Sequence, residues 1–238
     1  MRELAISILA ICVIAFPGFS TSASAGILLD DILDTPLGSI ADSGMSYVSL
    51  LPSPTGTVAS IILEDAGFAS TNRMGIYNAV DPSKMLELFS GSDSAGESLM
   101  IMFDPFTGEA WVDPGNKVDI GFTFGFYLDS IATSNKGGGL FYSDENLNDG
   151  ADLGVEHALM FETRHLNGAI SGYPDVVIGF EDLRFDSTNY QYDGDYDDMV
   201  VGVSGVRPVP EPATIMLLGL GSLSLVRRKR GLGKMLRA

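Results

Sequence analysis

The chain is short of cysteine, histidine and positive charge, and each shortage removes a class of function. A single cysteine, Cys12, rules out an internal disulfide framework and any cysteine-rich zinc or iron–sulfur site. Fourteen Lys and Arg face 31 Asp and Glu, for a formal net charge of −17. A phosphate backbone needs basic side chains to displace its counterions, so no nucleic acid is expected as a partner. The two histidines, His157 and His165, have no cysteine and no fixed nucleophile to complete a triad, and structural roles are expected of both. No serine sits in a G-x-S-x-G elbow, and Gly137-Gly138-Gly139 lacks the Lys-Ser/Thr of a phosphate loop. No apolar run reaches the ~20 residues of an ordinary membrane span.

What is present suffices for a folded domain. The 238 residues are 45% hydrophobic and include 13 Phe and 8 Tyr, too apolar and aromatic for wholesale disorder. Residues 1–25 read as a secretory signal: Arg2, an apolar stretch Leu4–Phe16, the stop Pro17–Gly18, then Ala23-Ser24-Ala25 before Gly26. Ala23 and Ala25 are the small residues that signal peptidase wants on its side of the cut, with Gly26 after it. Cys12 lies inside this segment, after Ile11 rather than a small residue, which argues against a lipoprotein.

The other end carries a second address. Val209-Pro210-Glu211-Pro212 leads into the uncharged Ala213–Val226, and Arg227-Arg228-Lys229-Arg230 follows. A basic cluster directly after an apolar helix fixes its orientation and leaves the bulk of the chain outside. Long basic stems snorkel and lengthen a short span, while Gly219, Gly221 and Ser222 keep the helix slim for packing against another membrane protein. The order V-P-E-P, short Gly/Leu helix, R-R-K-R resembles the PEP-CTERM sorting signal of exopolysaccharide-producing Gram-negative bacteria. That resemblance implies transient anchoring by a C-terminal membrane helix and processing near Pro210–Pro212 by an exosortase-type membrane enzyme. The mature domain then goes to the cell surface or the exopolysaccharide matrix.

The expected organisation is a signal peptide (1–25), a leader (26–43), an acidic domain (44–206) and the sorting signal (207–238). Eight of the 14 cations lie in the two ends, with only two of the 31 anions, so residues 26–206 keep six cations against 29 anions, a net charge of −23. The domain reads as all-β. Val118, Ile120, Phe122, Phe124, Phe126 and Leu128 alternate with smaller or polar residues, the period of a half-buried strand. Further strands are expected at Tyr47–Leu51, Val58–Leu63, Met74–Val80, Leu99–Phe103, Glu156–Phe161, Val176–Phe180 and Met199–Val206, separated by Pro, Gly, Asn and Asp turns. One short helix is expected at Pro82–Phe89, with Asp81 as N-cap and Pro82 at the first helical position. The sum is an antiparallel β-sandwich of the jelly-roll type.

The densest chemistry is Glu181-Asp182, then Asp193, Asp195, Asp197 and Asp198. Two unit charges ~6 Å apart repel by roughly 0.7–2.8 kcal/mol, depending on the effective dielectric, and the domain has few cations to offset this. Ca²⁺ takes 6–8 oxygens at about 2.3–2.6 Å and prefers carboxylates and carbonyls. Asp193, Asp195 and Asp197 open like an EF-hand loop, but Asp198 stands sixth where Gly belongs and Ser204 twelfth where Glu belongs. Alternate residues of a straight strand are ~6.6 Å apart, so the segment must curl, and Gly194 permits it. Glu181 and Asp182 are then the ligands from across the hairpin. A solvated acidic loop without an ion remains the other reading of these residue types.

A second resemblance favours the ion. G-I-Y-N (75–78), L-E-L-F-S-G (86–91), G-F-Y-L-D (125–129), E-H-A-L-M-F (156–161), G-F-E-D-L (179–183) and D-Y-D-D-M-V-V (195–201) resemble the exported bacterial family known as domain of unknown function 4114. It spans about residues 70–206. The resemblance implies Glu181, Asp182, Asp195 and Asp198 as acidic site residues, with Asp197 where the family often has Asn. Such domains accompany sorting signals of this kind and calcium-dependent adhesins, and their acidic residues have also been read as an enzyme site.

The sequence therefore points to an exported, non-enzymatic, calcium-stabilised protein. A polysaccharide-binding module using Trp111, Tyr142, Tyr173 and Tyr190 as a platform is the alternative. A carboxylate hydrolase built on Glu162 and Glu181 is another, and it needs the two groups ~5–9.5 Å apart.

Overall fold

The structure, a computed structural model, describes residues 45–51, 57–63, 69–162, 174–186, 192 and 194–209. The signal peptide, leader, His165, Tyr173, Tyr190, Asp193 and residues 210–238 of the sorting signal lie outside them.

Thirteen strands are described. In chain order they are β1 (Val48–Leu50), β2 (Thr57–Leu63), β3 (Arg73–Asn78), β4 (Met85–Phe89), β5 (Ser98–Phe103), β6 (Glu109–Trp111) and β7 (Val118–Asp119). Then come β8 (Thr123–Asp129), β9 (Leu140–Tyr142), β10 (Ala158–Glu162), β11 (Val176–Phe180), β12 (Met199–Ser204) and β13 (Val206–Pro208). They form two antiparallel sheets. One runs β13-β1-β8-β3-β4, with β9 also paired to β8, and the other runs β10-β11-β12-β2-β5-β6-β7.

The inner faces follow from the two-residue period of a strand. Phe124, Phe126 and Leu128 of β8 and Met74 and Ile76 of β3 meet Val176, Ile178 and Phe180 of β11 and Met199, Val201 and Val203 of β12 in one core. All of these side chains are fully buried. The result is the all-β sandwich that the strand pattern predicts.

Three expected elements need correction. Pro82–Phe89 is not a helix. Asp81 does cap, accepting from Ser83 N at 3.3 Å and Ser83 Oγ at 2.6 Å, but Lys84 N returns to Asp81 O at 3.0 Å and closes a turn. The chain then leaves as β4, burying Leu86 and Leu88 and exposing Glu87 between them. An alternating Leu-Glu-Leu triplet beside β3 outweighs the cap signal. Among the described residues the only helical pieces are short 3₁₀ turns such as Ala69–Thr71 and Ile131–Lys136.

The second correction concerns Val118–Leu128, which is two strands and not one. Gly121 takes φ +75°, and its N–H donates to Gly108 O at 3.0 Å. That bend is open to glycine; it keeps Ile120 in the core while turning Phe122 to 48% exposure. Met199–Val206 divides likewise: Gly205, φ +87°, carries the chain from β12 in one sheet to β13 in the other.

Candidate metal centre

β11 ends at Phe180, and the next two residues turn their carboxylates inwards. Glu181 is fully buried and Asp182 is 1% exposed. Glu181 N is held by His157 O at 3.0 Å. On the other side of the hairpin the chain returns through Gly194, φ +69°, and Tyr196, φ +56°, two left-handed residues that bend it ahead of β12. The left-handed Tyr196 is costly for a bulky residue; its phenol reaches Glu156 O at 3.3 Å and Tyr192 Oη at 3.1 Å.

This curl brings three acids together. Oxygens of Glu181, Asp182 and Asp198 lie within 4.8 Å of one another. Backbone donors orient them: Asp182 N donates to Asp198 Oδ2 at 2.8 Å and Gly194 N donates to Glu181 Oε2 at 3.0 Å. Asp195 and Asp197 are not members of this group. Asp197 is buried at 4% exposure, and its N–H lies 3.5 Å from Asp195 Oδ1.

The opposite sheet reaches the same place. Arg73 pairs with Asp129, so Asn72 and Ser130, one step beyond, stand side by side at the end of β3 and β8. Asn72 Nδ2 donates to Asp182 Oδ2 at 2.8 Å, and Ser130 Oγ donates to Asp182 O at 2.9 Å. Neither residue carries a motif signal; only the fold brings Asn72 across 110 positions to Asp182.

A separate ionic network lies behind the trio. His157 is fully buried and stacks on Phe141 with ring centroids 3.9 Å apart. Its Nε2 donates to Asp152 Oδ1 at 3.0 Å, and Nδ1 lies 3.4 Å from Glu181 O. Burial pushes the imidazole below its ordinary value, against the pull of Asp152. Asp152 also accepts from Arg184 Nη1 at 2.9 Å and Phe185 N at 2.8 Å, and Arg184 Nη2 pairs with Asp149 at 2.9 Å. These contacts hold the His157 ring packed and hydrogen-bonded inside the fold. Asp152 and Arg184 belong to no motif that the sequence singles out.

The other candidate groupings fare differently. Glu162 pairs with Val176 at one end of the β10–β11 hairpin, whereas Phe180, next to Glu181, pairs with Ala158 at the other. Five steps along the strand separate Glu162 from His157, a backbone span of roughly 16 Å, against the ~5–9.5 Å between the carboxyls of a glycosidase pair. Trp111 stands on β6 of one sheet and Tyr142 on β9 of the other, and Lys117 Nζ covers a Trp111 ring face at 4.4 Å.

Residues 208–230 match the PEP-CTERM protein-sorting motif. The motif marks an exported chain, transiently anchored in the membrane and handled by exosortase-type machinery. No curated protein and no solved structure matches the chain, and these comparisons lend no support to the resemblance of residues 70–206 to domain of unknown function 4114. Among the described residues no helix is long and apolar enough to cross a membrane; the helix expected at 213–226 lies outside them.

Proposed function

We propose that the protein is a non-enzymatic, calcium-stabilised β-sandwich that its sorting signal delivers to the cell surface or exopolysaccharide matrix. The observation that carries this reading is the convergence of Glu181, Asp182 and Asp198 within 4.8 Å in a largely buried corner. At that separation each pair of carboxylates repels by about 3.5 kcal/mol at an effective dielectric of 20. Arg184, two residues from Asp182, is turned instead onto Asp149 and Asp152. A cation between the three carboxylates converts that repulsion into attraction.

The donor set is all oxygen, with neither His nor Cys in it, which suits a hard ion and not zinc or copper. Ca²⁺ tolerates irregular arrangements of carboxylates, carbonyls and water better than Mg²⁺, which demands near-octahedral geometry. Binding to the folded hairpin alone makes binding energy into folding energy. An exported protein would then stay loosely folded at low calcium and tighten outside.

The test is thermal unfolding of the full chain in millimolar Ca²⁺ and in excess chelator, with calorimetric titration alongside. Calcium should raise the midpoint by several degrees and give a saturable heat. Coincident melts without binding heat overturn the reading.

A further inference from the structure

We propose that Asn72 is a neutral oxygen ligand of the ion held by Glu181, Asp182 and Asp198, so that this ion fastens the two sheets of the sandwich to each other. The inference rests on the calcium reading of the trio and assigns it a fourth ligand from the opposite sheet.

Asn72 is fully buried. Its Nδ2 is used, donating to Asp182 Oδ2 at 2.8 Å, but its Oδ1 is buried and accepts no hydrogen bond from the described residues. A buried carbonyl left this way costs about 1–3 kcal/mol, and buried polar atoms are satisfied in the great majority of folded proteins. Oδ1 is carried by the same amide whose Nδ2 reaches Asp182. A half-turn of the amide about χ2 exchanges the two atoms and points Oδ1 at Asp182. Two acceptors facing each other repel, unless a cation lies between them. Amide carbonyls of Asn are ordinary calcium ligands. Asn72 can therefore serve both states: as a donor that shields Asp182 in the absence of the ion, and as a ligand in its presence.

The placement gives the ligand its consequence. Glu181 and Asp182 follow β11 and Asp198 precedes β12, both in one sheet, whereas Asn72 precedes β3 in the other. Ser130, at the end of β8, already ties that second sheet to Asp182 O. An ion shared by these residues is a clamp across the sandwich, and not merely the organiser of one loop.

Calorimetric titration of the full chain with CaCl₂ tests this in wild type, Asn72→Leu and Asn72→Asp. Asn72→Leu should bind calcium about tenfold more weakly. Asn72→Asp should bind at least as tightly as wild type and show a wider gap between its melting points in calcium and in chelator, because a fourth carboxylate adds repulsion when the ion is gone. Equal affinity in all three overturns the ligand assignment while leaving the trio's site intact. A wild type that takes up no calcium overturns the site itself. Should Asn72→Leu fail to fold, the wild-type side-chain amide decides by NMR: its Asn72 N–H₂ signals should move on calcium addition, and unmoved signals in calcium-bound protein overturn the proposal.

Discussion

The ring of Tyr77 lies across Gly125, its register partner on the neighbouring strand, so closely that a Cβ on Gly125 would stand 2.4 Å from the phenol oxygen. The arrangement repeats diagonally: Tyr127 covers Gly75 on the same face, with a would-be Cβ 2.6 Å from its ring. Each tyrosine fills the space that a glycine vacates, which is how β3 and β8 bury both of their faces.

Gly125→Ala should therefore cost about 3 kcal/mol, the upper range for forcing a methyl into a packed core. Gly115→Ala, where the added Cβ meets nothing nearer than 4.0 Å, should stay within about 0.5 kcal/mol of wild type. Midpoints of urea denaturation compare the two.

The same packing sets an alkaline limit. Burial pushes the Tyr77 phenol up to about 12, with the Ser143 hydroxyl pulling weakly the other way. The folded protein keeps a proton that the unfolded chain releases near its ordinary value of 10.0. This contribution is whole below pH 10 and is lost as pH rises towards about 12. Tyr77→Phe should melt with a smaller pH dependence across that window, measured by thermal scans in chelator.

Arg184 and Lys84 make ion pairs of similar length but unequal worth. Arg184 Nη1 meets the buried Asp152 at 2.9 Å, and Arg184→Met would remove the cation from Oδ2 of a carboxylate that water barely reaches, at a cost of about 2 kcal/mol. Lys84 meets the half-exposed Asp119 at 2.7 Å, where solvent screens the pair. Lys84→Met should be indistinguishable from wild type in the same denaturation assay.

The acids of the curl should also separate. Asp198→Asn removes a carboxylate of the trio and should abolish most of the calcium-induced rise in melting temperature, whereas Asp195→Asn should retain most of it. The reverse ranking would place the ion elsewhere in the loop.

How far such features could be read beforehand depended on how local their causes are. Val176–Phe180 is read to the residue, because an unbroken apolar run between polar turns has one sensible use. Leu86–Phe89 is misread because Asp81-Pro82 signals a helix start as strongly as a turn, and only the neighbouring β3 decides. Glu181, Asp182 and Asp198 stand out by their density alone. Asn72 cannot be found that way: one asparagine among polar neighbours acquires meaning only when β3 is laid beside β8 and the two sheets are closed. The charge on Asp152 has the same history, since its partners lie 5 and 32 positions away.

Pro208 is both the last registered residue of β13, opposite Val48, and the first residue of the matched sorting motif. Val209 N–H is still bonded to Tyr47 O at 3.0 Å. A fully stretched chain gains at most ~3.6 Å per residue, so covalent reach alone keeps Pro212 within about 11 Å of Val209. The machinery that reads the motif therefore meets a segment whose first residues are already hydrogen-bonded into the sandwich.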